Sequence, residues 1–379
     1  CGQCAAVCPT AAIKVKTNLD KVWRQLYDPG KRVVVQVAPA VRVALGEAFG
    51  LAPGEDSIGK IFTAIRMLGF DAVYDTCVGA DLTIMEEAKE LGEKLESGDD
   101  RFPLFTSCCP AWIRFAETKH PDIMPYISSC KSPMEMFGAV LKEYYKDKDK
   151  EEGKETISMA VMPCVAKKME AVREEFIRDG VPDIDYVITT KELIRMIRES
   201  GIQFDEIDPE APDMPFSISS GAGVIFGVTG GVTEAALRRL VQEKSTQSLR
   251  DIKFSGIRGM EGVKEAVLEL NGRTLRIGVV SGLGNADNLI EKIKSGEEYF
   301  DFVEVMACPY GCIAGAGQPF CHKVDKKERM AGMYRSDKAA PIKRSEENPV
   351  IYNLYHGGLL EGREHELLHV HYKGAQPQE

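Results

Sequence analysis

The sequence predicts an α/β protein made of two lobes, each with a mostly parallel sheet flanked by helices. Short β-branched runs, such as RVVVQV at 32–37, alternate with longer segments of helical periodicity. These runs contain consecutive apolar residues, which indicates strands covered on both faces of a parallel sheet. A length of 379 residues allows a large core and roughly two or three sub-domains.

The first lobe is predicted at 26–150 and the second at 151–330. In the first, strands are expected at 32–37, 72–75 and 104–107, with helices at 41–49, 56–68, 81–95, 111–119 and 133–145. The charged stretch 146–155 (KDKDKEEGKE) predicts a solvated loop between the lobes.

The second lobe repeats the alternation. Strands are expected at 157–162, 186–189 and 302–306, and a hairpin turning at Asn271-Gly272 joins 266–270 to 274–280. Helices are predicted at 166–179, 191–200, 232–243 and 285–294, the third of them opened by the glycine-rich segment 219–231. The polar C-terminal segment 331–379 contains no cysteine and is predicted to wrap around the body.

Composition and charge exclude several classes of protein. A net charge of −10 argues against a nucleic-acid partner, because phosphate binding needs a basic face. The apolar runs are shorter than the roughly 20 residues of a membrane span. We therefore expect no membrane span and a cytoplasmic location. The chain begins inside a motif and shows no signal peptide, so we interpret it as an excerpt of a longer one.

Cysteines follow predicted strand ends at three places. FTSCCP contains Cys108 and Cys109, VMPCVAK contains Cys164, and VEVMACPYGCIAGAGQP contains Cys308 and Cys312. Ligands collect outside the carboxyl ends of strands in open α/β sheets. Thiolates suit iron–sulfur clusters, and small residues let the backbone approach a cluster. The pattern predicts a four-thiolate site formed by Cys164, Cys308, Cys312 and one of the two adjacent cysteines.

The first residues, CGQCAAVCP, match the last three cysteines of the bacterial ferredoxin run. Cys1, Cys4 and Cys8 are candidate ligands of a ferredoxin-type 4Fe–4S cluster, although the first cysteine of the run is absent. The alternative is a remnant with free thiols. Residues 1–25 are accordingly predicted to be the remnant of a ferredoxin-like domain.

The three cysteine stretches resemble the three signature motifs of the iron-only, or FeFe, hydrogenases. The motifs stand here as TSCCP at 106–110, MPCVAKKME at 162–170 and EVMACPYGCIAGAGQP at 304–319. The resemblance implies an H-cluster in the cleft between the lobes. This cofactor is a 4Fe–4S cubane joined through a cysteine sulfur to a di-iron unit with CO, cyanide and a dithiolate amine. It also implies a ferredoxin hydrogenase that catalyses 2H⁺ + 2e⁻ ⇌ H₂ and is loaded by maturation proteins.

The resemblance assigns the cysteines to separate roles. Cys109, Cys164, Cys308 and Cys312 would bind the cubane, with Cys312 as the bridge to the di-iron unit. Cys108 would exchange protons with the dithiolate amine.

It also implies the surroundings of the di-iron unit. Lys167 would donate a hydrogen bond to a cyanide, which suits an ammonium facing an anionic ligand. Met162 and Met306 would pack against the di-iron unit, and Ala38 and Pro39 would form another wall.

A proton path is implied as well, running from Cys108 through Glu87, Ser128 and Glu90 to solvent. Glu87 and Glu90 share a helix face at i,i+3, and Lys94 could pair with Glu90 near the exit. Two carboxylates on a solvated helix would be the ordinary interpretation without the resemblance.

Some positions depart from the family pattern. Ala316 replaces a glycine and would cost about 1 kcal/mol if its φ were positive. Met134 stands where some relatives have glutamine, and Cys77, Cys130 and Cys321 are expected to be packing thiols.

Other roles stay open. One is a subunit of an NAD-linked bifurcating hydrogenase, and another is a low-turnover hydrogen-sensing or iron–sulfur assembly protein. Cys108 and Lys167 favour the enzyme, because they serve the di-iron unit and not the cubane.

Overall fold

The computed structural model describes residues 1–98, 102–241, 246–253, 255–270 and 272–372. Its strands are β1 (Lys31–Val37), β2 (Ala72–Asp75), β3 (Leu104–Phe105), β4 (Glu155–Met162), β5 (Ile177–Arg178), β6 (Val181–Pro182), β7 (Tyr186–Thr189), β8 (Val263–Leu270), β9 (Arg273–Ser281) and β10 (Phe302–Met306). Its α-helices are α1 (Gln3–Val7), α2 (Leu19–Leu26), α3 (Ile58–Met67), α4 (Cys77–Ser97), α5 (Pro110–Lys119), α6 (Pro133–Glu152), α7 (Ala166–Glu170), α8 (Thr190–Glu199), α9 (Gly221–Val224), α10 (Gly231–Leu240), α11 (Thr246–Lys253), α12 (Leu283–Ser295), α13 (Lys323–Ala339), α14 (Pro349–Tyr355) and α15 (Glu364–Leu368).

Two four-stranded sheets form the framework. The first has the order β2-β1-β4-β7 and is parallel throughout. The second has the order β3-β10-β9-β8 and is parallel except for the antiparallel pair of β8 and β9. The predicted α/β class with mostly parallel sheets is confirmed. The hairpin is confirmed by its strands, while its turn residue Asn271 lies outside the described residues.

The sheets do not follow the predicted boundary near residue 150. Strands β4 and β7, from the predicted second lobe, complete the first sheet, and β3, from the predicted first lobe, joins the second. Strand pairing across the chain therefore decides the two layers, and a division by sequence position does not separate them.

Strand β1 lies at the centre of the first sheet and is buried on both faces. Val33 and Val35 pack in one apolar cluster with Ile61 and Ile65 of α3. Val34 points to the opposite face, where it joins a cluster that includes Phe137 of α6. This two-sided burial is the physical reason for the three consecutive valines of the strand.

The charged stretch 146–155 is largely helical, so the predicted loop is wrong. Helix α6 continues through it to Glu152 and ends at Gly153, whose φ is 64°. Ion pairs at i,i+3 spacing stabilise the exposed turns, with Lys146 Nζ 3.5 Å from Glu143 and Lys150 Nζ 3.0 Å from Asp147. Alternating charges thus marked a solvated helix face.

Two predicted helices are also wrong in extent. The segment 41–49 forms only short 3-10 turns, Pro39–Val41 and Gly46–Phe49, and the helix predicted at 166–179 ends at Glu170. Buried ion pairs hold both segments to other elements. Arg42 donates to Asp75 at 2.6 Å, and Arg173 donates to Glu117 of α5 at 2.5 Å. Such tertiary contacts override local helical periodicity.

Helices α4 and α6 meet closely at Gly79, where an added Cβ would lie 2.2 Å from the Pro133 carbonyl oxygen. We expect Gly79→Ala to lower the free energy of unfolding by about 1–3 kcal/mol through overpacking. Denaturant unfolding measures this change. Gly92→Ala on the same helix is the matched control, because its nearest neighbouring atom would be 3.8 Å away. The control should be neutral or stabilising by up to about 1 kcal/mol, and equal losses in both variants would contradict the close crossing.

Candidate active site

A cavity lies where the carboxyl ends of strands from both sheets meet. β1 and β4 reach it from the first sheet, and β3 and β10 reach it from the second. The sequence-predicted residues that line it are Ala38, Pro39, Cys108, Cys109, Met134, Met162, Cys164, Lys167, Met306, Cys308 and Cys312. The structure therefore brings the three cysteine stretches to one place.

The thiols in this cavity are unpaired and largely withdrawn from water. Burial raises the pKa of Cys164, Cys308 and Cys312, and the neighbouring thiols raise each pKa further. Cys109 and these three cysteines line the same cavity. A metal that binds here must displace protons from them.

The four sulfurs are too far apart to share a single metal ion. In the part of the chain that the structure describes, three or more His, Cys, Asp or Glu side chains have their ligand atoms within 4.8 Å of one another at Glu90, Cys130 and His369. This group contains none of the four cysteines. A single tetrahedral ion needs its ligands about 2.3 Å from itself, and so closer together. Backbone N–H groups also point at the sulfurs, from Ala166 to Cys164 at 3.2 Å and from Ala307 to Cys109 at 3.5 Å. Such donors are typical of iron–sulfur sites.

The loop after β10 makes a sharp turn at two residues with positive φ. Tyr310 and Gly311 have φ values of 71° and 84°, which turn the chain between Cys308 and Cys312. A Cβ on Gly315 would lie 2.2 Å from the carbonyl oxygen of Pro163. This glycine therefore lets the loop approach the end of β4, in addition to any approach to a cluster.

Ala316 lies beside that glycine, is buried and has no positive φ. The strain considered for this departure from the family pattern does not arise.

Lys167 is held in the cavity wall by two contacts. Its ammonium donates to Glu170 at 2.6 Å and to the Cys108 carbonyl at 3.2 Å. Burial by itself lowers the pKa of Lys167, but the charge and hydrogen bond of Glu170 outweigh it and raise the pKa. Ser132 donates to the same carboxylate at 3.0 Å. The lysine is thus a fixed cation at the edge of the thiol site.

Glu304, the first residue of the third motif, is a structural anchor. Its carboxylate accepts from the backbone N–H of Gly230 at 2.6 Å and of Thr233 at 2.9 Å. It therefore fixes the start of α10 against β10, beside the cavity. Sequence reasoning gave this residue no role of its own.

Cys108 is the fifth thiol of the cavity and is adjacent to the inner carboxyl group of the predicted proton path. Burial raises its pKa, and the next largest cause is the charge of Glu87. Glu87 is fully buried, and burial followed by the charge of Glu90 raises its pKa well above the usual range. Neither oxygen of Glu87 has a well-aligned hydrogen-bond partner among the described residues, although Ser107 N–H and Ser128 lie close enough to lower its pKa in part.

Glu90 has the opposite electrostatic character. Burial would raise its pKa, but hydrogen bonds from His369, Ser128 and Ser129 lower it below the usual value. Ser128 thus lies near both carboxyl groups. The surroundings of Glu87 favour its protonated form, and those of Glu90 favour its ionised form. The pairing of Glu90 with Lys94 stays a prediction.

Sequence reasoning missed a group of residues around Glu90. The Ser129 hydroxyl donates to Glu90 through a very short contact, and His369 Nδ1 lies 2.7 Å from the same hydroxyl. His369 Nε2 lies 3.1 Å from Glu86, whose other oxygen accepts from the Tyr355 hydroxyl. No local motif predicts this group, because 240 residues separate Ser129 from His369.

The N-terminal segment packs against the outer side of the cavity. Gln3 donates to the Ala314 carbonyl at 3.0 Å, and its side chain also lowers the pKa of Cys308 in part. Cys1 and Cys4 are exposed, and Cys8 is partly buried. The role of these three cysteines as cluster ligands stays a prediction.

The remaining cysteines, Cys77, Cys130 and Cys321, are buried and do not line the cavity. Cys77 accepts a hydrogen bond from Arg42 at 3.1 Å. Their burial is compatible with the predicted packing role.

Comparison with known families decides the classification. A family described as "Iron only hydrogenase large subunit, C-terminal domain" matches residues 31–316. The chain belongs to the iron-only hydrogenase family. A second family, "Iron hydrogenase small subunit", matches residues 323–374 of this iron-only hydrogenase chain. The sequence-based identification of an H-cluster domain is confirmed.

Individual relatives agree with this family. The hydrogenase chain is 46% identical to the NADP-reducing hydrogenase subunit HndD of Solidesulfovibrio fructosivorans, covering 98% of this chain and 65% of the relative. It is 44% identical to iron hydrogenase 1 of Clostridium pasteurianum, covering 96% of this chain and 65% of that relative. The chain thus spans less than two thirds of the length of either protein.

A solved structure of the FeFe-hydrogenase HydA(deltaEFG) shares the fold. Its TM-score is 0.80 at 40% identity, covering 95% of this chain and 100% of that one. In the described ranges of the present chain, none of the helices is both long and apolar enough to cross a membrane.

Proposed function

We propose that this chain is the catalytic H-cluster domain of an FeFe hydrogenase that interconverts protons and H₂, with ferredoxin as its electron partner. One observation carries the proposal. Beyond the four thiols that suit a cubane, the cavity is lined by a fifth thiol, Cys108, and by an ammonium, Lys167. A plain electron-transfer cluster needs neither group, whereas chemistry that moves protons next to an anionic metal unit needs both.

The residues divide into ligands and walls. Cys109, Cys164, Cys308 and Cys312 would hold the cubane, and Cys312 would bridge to the di-iron unit. When bound, this cofactor would pass electrons from ferredoxin to protons and so supply the redox chemistry of H₂ formation. The side chains that would wall the di-iron unit are Ala38, Pro39, Met162 and Met306, all of which line the cavity. They exclude water from the reaction space.

Lys167 would orient an anionic diatomic ligand. Glu170 keeps the ammonium charged and, with Ser132, fixes its position. A charge-assisted hydrogen bond from this ammonium is stronger than a neutral one and sets the direction of the ligand.

The proton path would run from Cys108 to Glu87, Ser128 and Glu90. The raised pKa of Glu87 keeps a proton on the inner carboxyl group, and the lowered pKa of Glu90 keeps the outer one ionised. Environments that separate the pKa values of two carboxyl groups assign them to donor and acceptor roles. Ser128 lies near both and can relay a proton between them.

Electrons would enter from the N-terminal side, where Gln3 approaches Cys308. Ferredoxin-type clusters bound by Cys1, Cys4, Cys8 and cysteines outside this sequence would pass them inward. The name of the 46% identical relative supports one alternative, a subunit of an NAD(P)-linked hydrogenase complex. We also propose that the protein is cytoplasmic.

A non-catalytic role is the third alternative. The chain is 30% identical to the rat cytosolic iron–sulfur assembly component 3. Cys108 and Lys167 in the cavity wall favour catalysis over assembly, since a cubane alone has no use for them.

The electron partner is tested on the chain after loading by maturation proteins. We expect H₂ evolution with reduced ferredoxin and little with NADPH. A chain that is active with a reduced dye but not with reduced ferredoxin would favour the NAD(P)-linked alternative. A matured chain that evolves no H₂ with ferredoxin or with a reduced dye would refute the hydrogenase proposal.

A further inference from the structure

We propose that the C-terminal segment forms the outer end of the proton path, with His369 passing protons through Ser129 to Glu90 and the exposed His365 and His371 collecting them at the surface. This inference rests on the proposed function and extends it to residues that the family motifs do not include.

The hydrogen bonds form an unbroken series. The Ser129 hydroxyl donates to Glu90 Oε1, and His369 Nδ1 lies 2.7 Å from the Ser129 oxygen. His369 Nδ1 is also 3.6 Å from Glu90 Oε1. With Nδ1 protonated, the ring donates to Ser129 and Ser129 donates to Glu90. A proton can leave Nδ1 for the Ser129 oxygen while the Ser129 proton moves to Glu90, so no group gains or loses a net proton except the two ends.

The backbone fixes this geometry. Val370 N–H donates to the Ser129 carbonyl at 2.7 Å, and Lys131 N–H donates to the Leu368 carbonyl at 2.8 Å. Cys130 and His369 are opposed in an antiparallel bridge. Two backbone hydrogen bonds, one on each side of His369, therefore hold the imidazole beside Ser129. The position of the ring thus does not depend on the side chain alone.

The charges around His369 favour its protonated form. Burial lowers its pKa, but hydrogen bonds and charges from Glu86 and Glu90 raise it to about 9. The titratable or charged groups near this site are Glu86, Lys89, Glu90, Cys130, Tyr355, Glu364, His365 and His371. At neutral pH the imidazole therefore holds a proton next to an ionised Glu90.

The surface side of the imidazole meets two further histidines. The His365 ring stacks on His369 with centroids 5.0 Å apart, and the His371 ring is 5.7 Å from His365. Both of these residues are exposed, whereas the His369 side chain is 10% exposed. Imidazoles at the surface can exchange protons with buffer and water.

The main test uses His369→Gln in the matured chain. Glutamine retains a hydrogen-bonding side chain but cannot titrate. We expect H₂ evolution to fall roughly tenfold, less than the ~10²–10⁴-fold typical of a positioned proton donor, because the Glu90 side chain is 18% exposed and water still reaches it. In the wild type, evolution should decline as the pH rises through about 9, where His369 loses its proton. The variant should lack that step, and imidazole should restore turnover to His369→Ala.

The matched control is His356→Gln, since His356 lies on the same C-terminal segment, is exposed and contacts only the Tyr352 carbonyl and ring in the described structure. It should behave as the wild type. An active wild type with an unchanged His369→Gln pH profile would overturn the inference alone. A wild type without any H₂ evolution would instead refute the proposed function.

A second readout does not depend on activity. Imidazole NMR of the full chain should show His369 titrating near pH 9, and Glu86→Gln should lower that pKa. Titration of His369 at the ordinary value of about 6.5 would contradict the geometry proposed here.

Discussion

Cys108→Ala should remove nearly all H₂ evolution and leave the cubane in place. The Cys108 thiol lines the cavity beside Glu87 but is not one of the four thiols assigned to the cubane. Alanine takes away the thiol that we propose passes protons between the cavity and Glu87. Loss of a positioned proton-transfer group lowers turnover by about 10²–10⁴-fold. H₂ evolution and iron content per chain, measured on the same matured sample, test both halves of the expectation.

Two controls make the result specific. Cys321→Ala removes another buried thiol, one that does not line the cavity, and should keep both turnover and iron. Cys109→Ala removes a proposed ligand and should lose iron as well as turnover. Full turnover in Cys108→Ala would contradict its proton role, and loss of iron in that variant would mean that Cys108 is itself a ligand.

Glu87→Gln should also lower turnover by about 10²–10⁴-fold, and it should not destabilise the fold. Glutamine has the shape of the protonated carboxylic acid that burial favours at this position. It cannot release or accept the proton. Unchanged turnover would exclude Glu87 from the path. Glu93→Gln, at an exposed position of the same helix, is the control and should leave turnover unchanged.

The pH dependence of stability gives this variant a second signature. The pKa of Glu87 is raised in the folded protein, while an unfolded glutamate titrates at about 4.3. Folding therefore favours the protonated form, and the contribution of Glu87 to stability falls as the pH rises above about 4.3 toward its folded pKa. Glu87→Gln lacks this loss. Its free energy of unfolding should equal or exceed that of the wild type at neutral pH, and the difference should shrink in acid.

The cysteine framework could be predicted because its signal is local. Each cysteine follows an apolar run that ends at a turn, and parallel strands bring their carboxyl ends to one edge. Cys109, Cys164 and Cys308 therefore meet in the structure as the motifs suggested. Strand β10 was predicted with its observed bounds for the same reason, since five apolar or buried positions precede Cys308.

Features that depend on distant contacts could not be predicted. The sequence carries no sign that His369 packs against Ser129, or that β4 pairs with β1 of the other half as well as with β7 of its own. The charged stretch 146–155 is largely helical and not a loop, and a high charge density indicates only exposure to solvent. The i,i+3 spacing of the charges, as in Lys150 and Asp147, was the missed signal.

The central claim is that this cavity holds a di-iron unit beside a four-thiolate cubane. Infrared spectroscopy of the matured chain tests it most directly, because iron-bound CO and cyanide absorb where the protein does not. We expect such bands in the wild type, with the cyanide bands shifted in Lys167→Met. A matured wild-type chain that contains the cubane but shows no CO or cyanide bands would contradict the account.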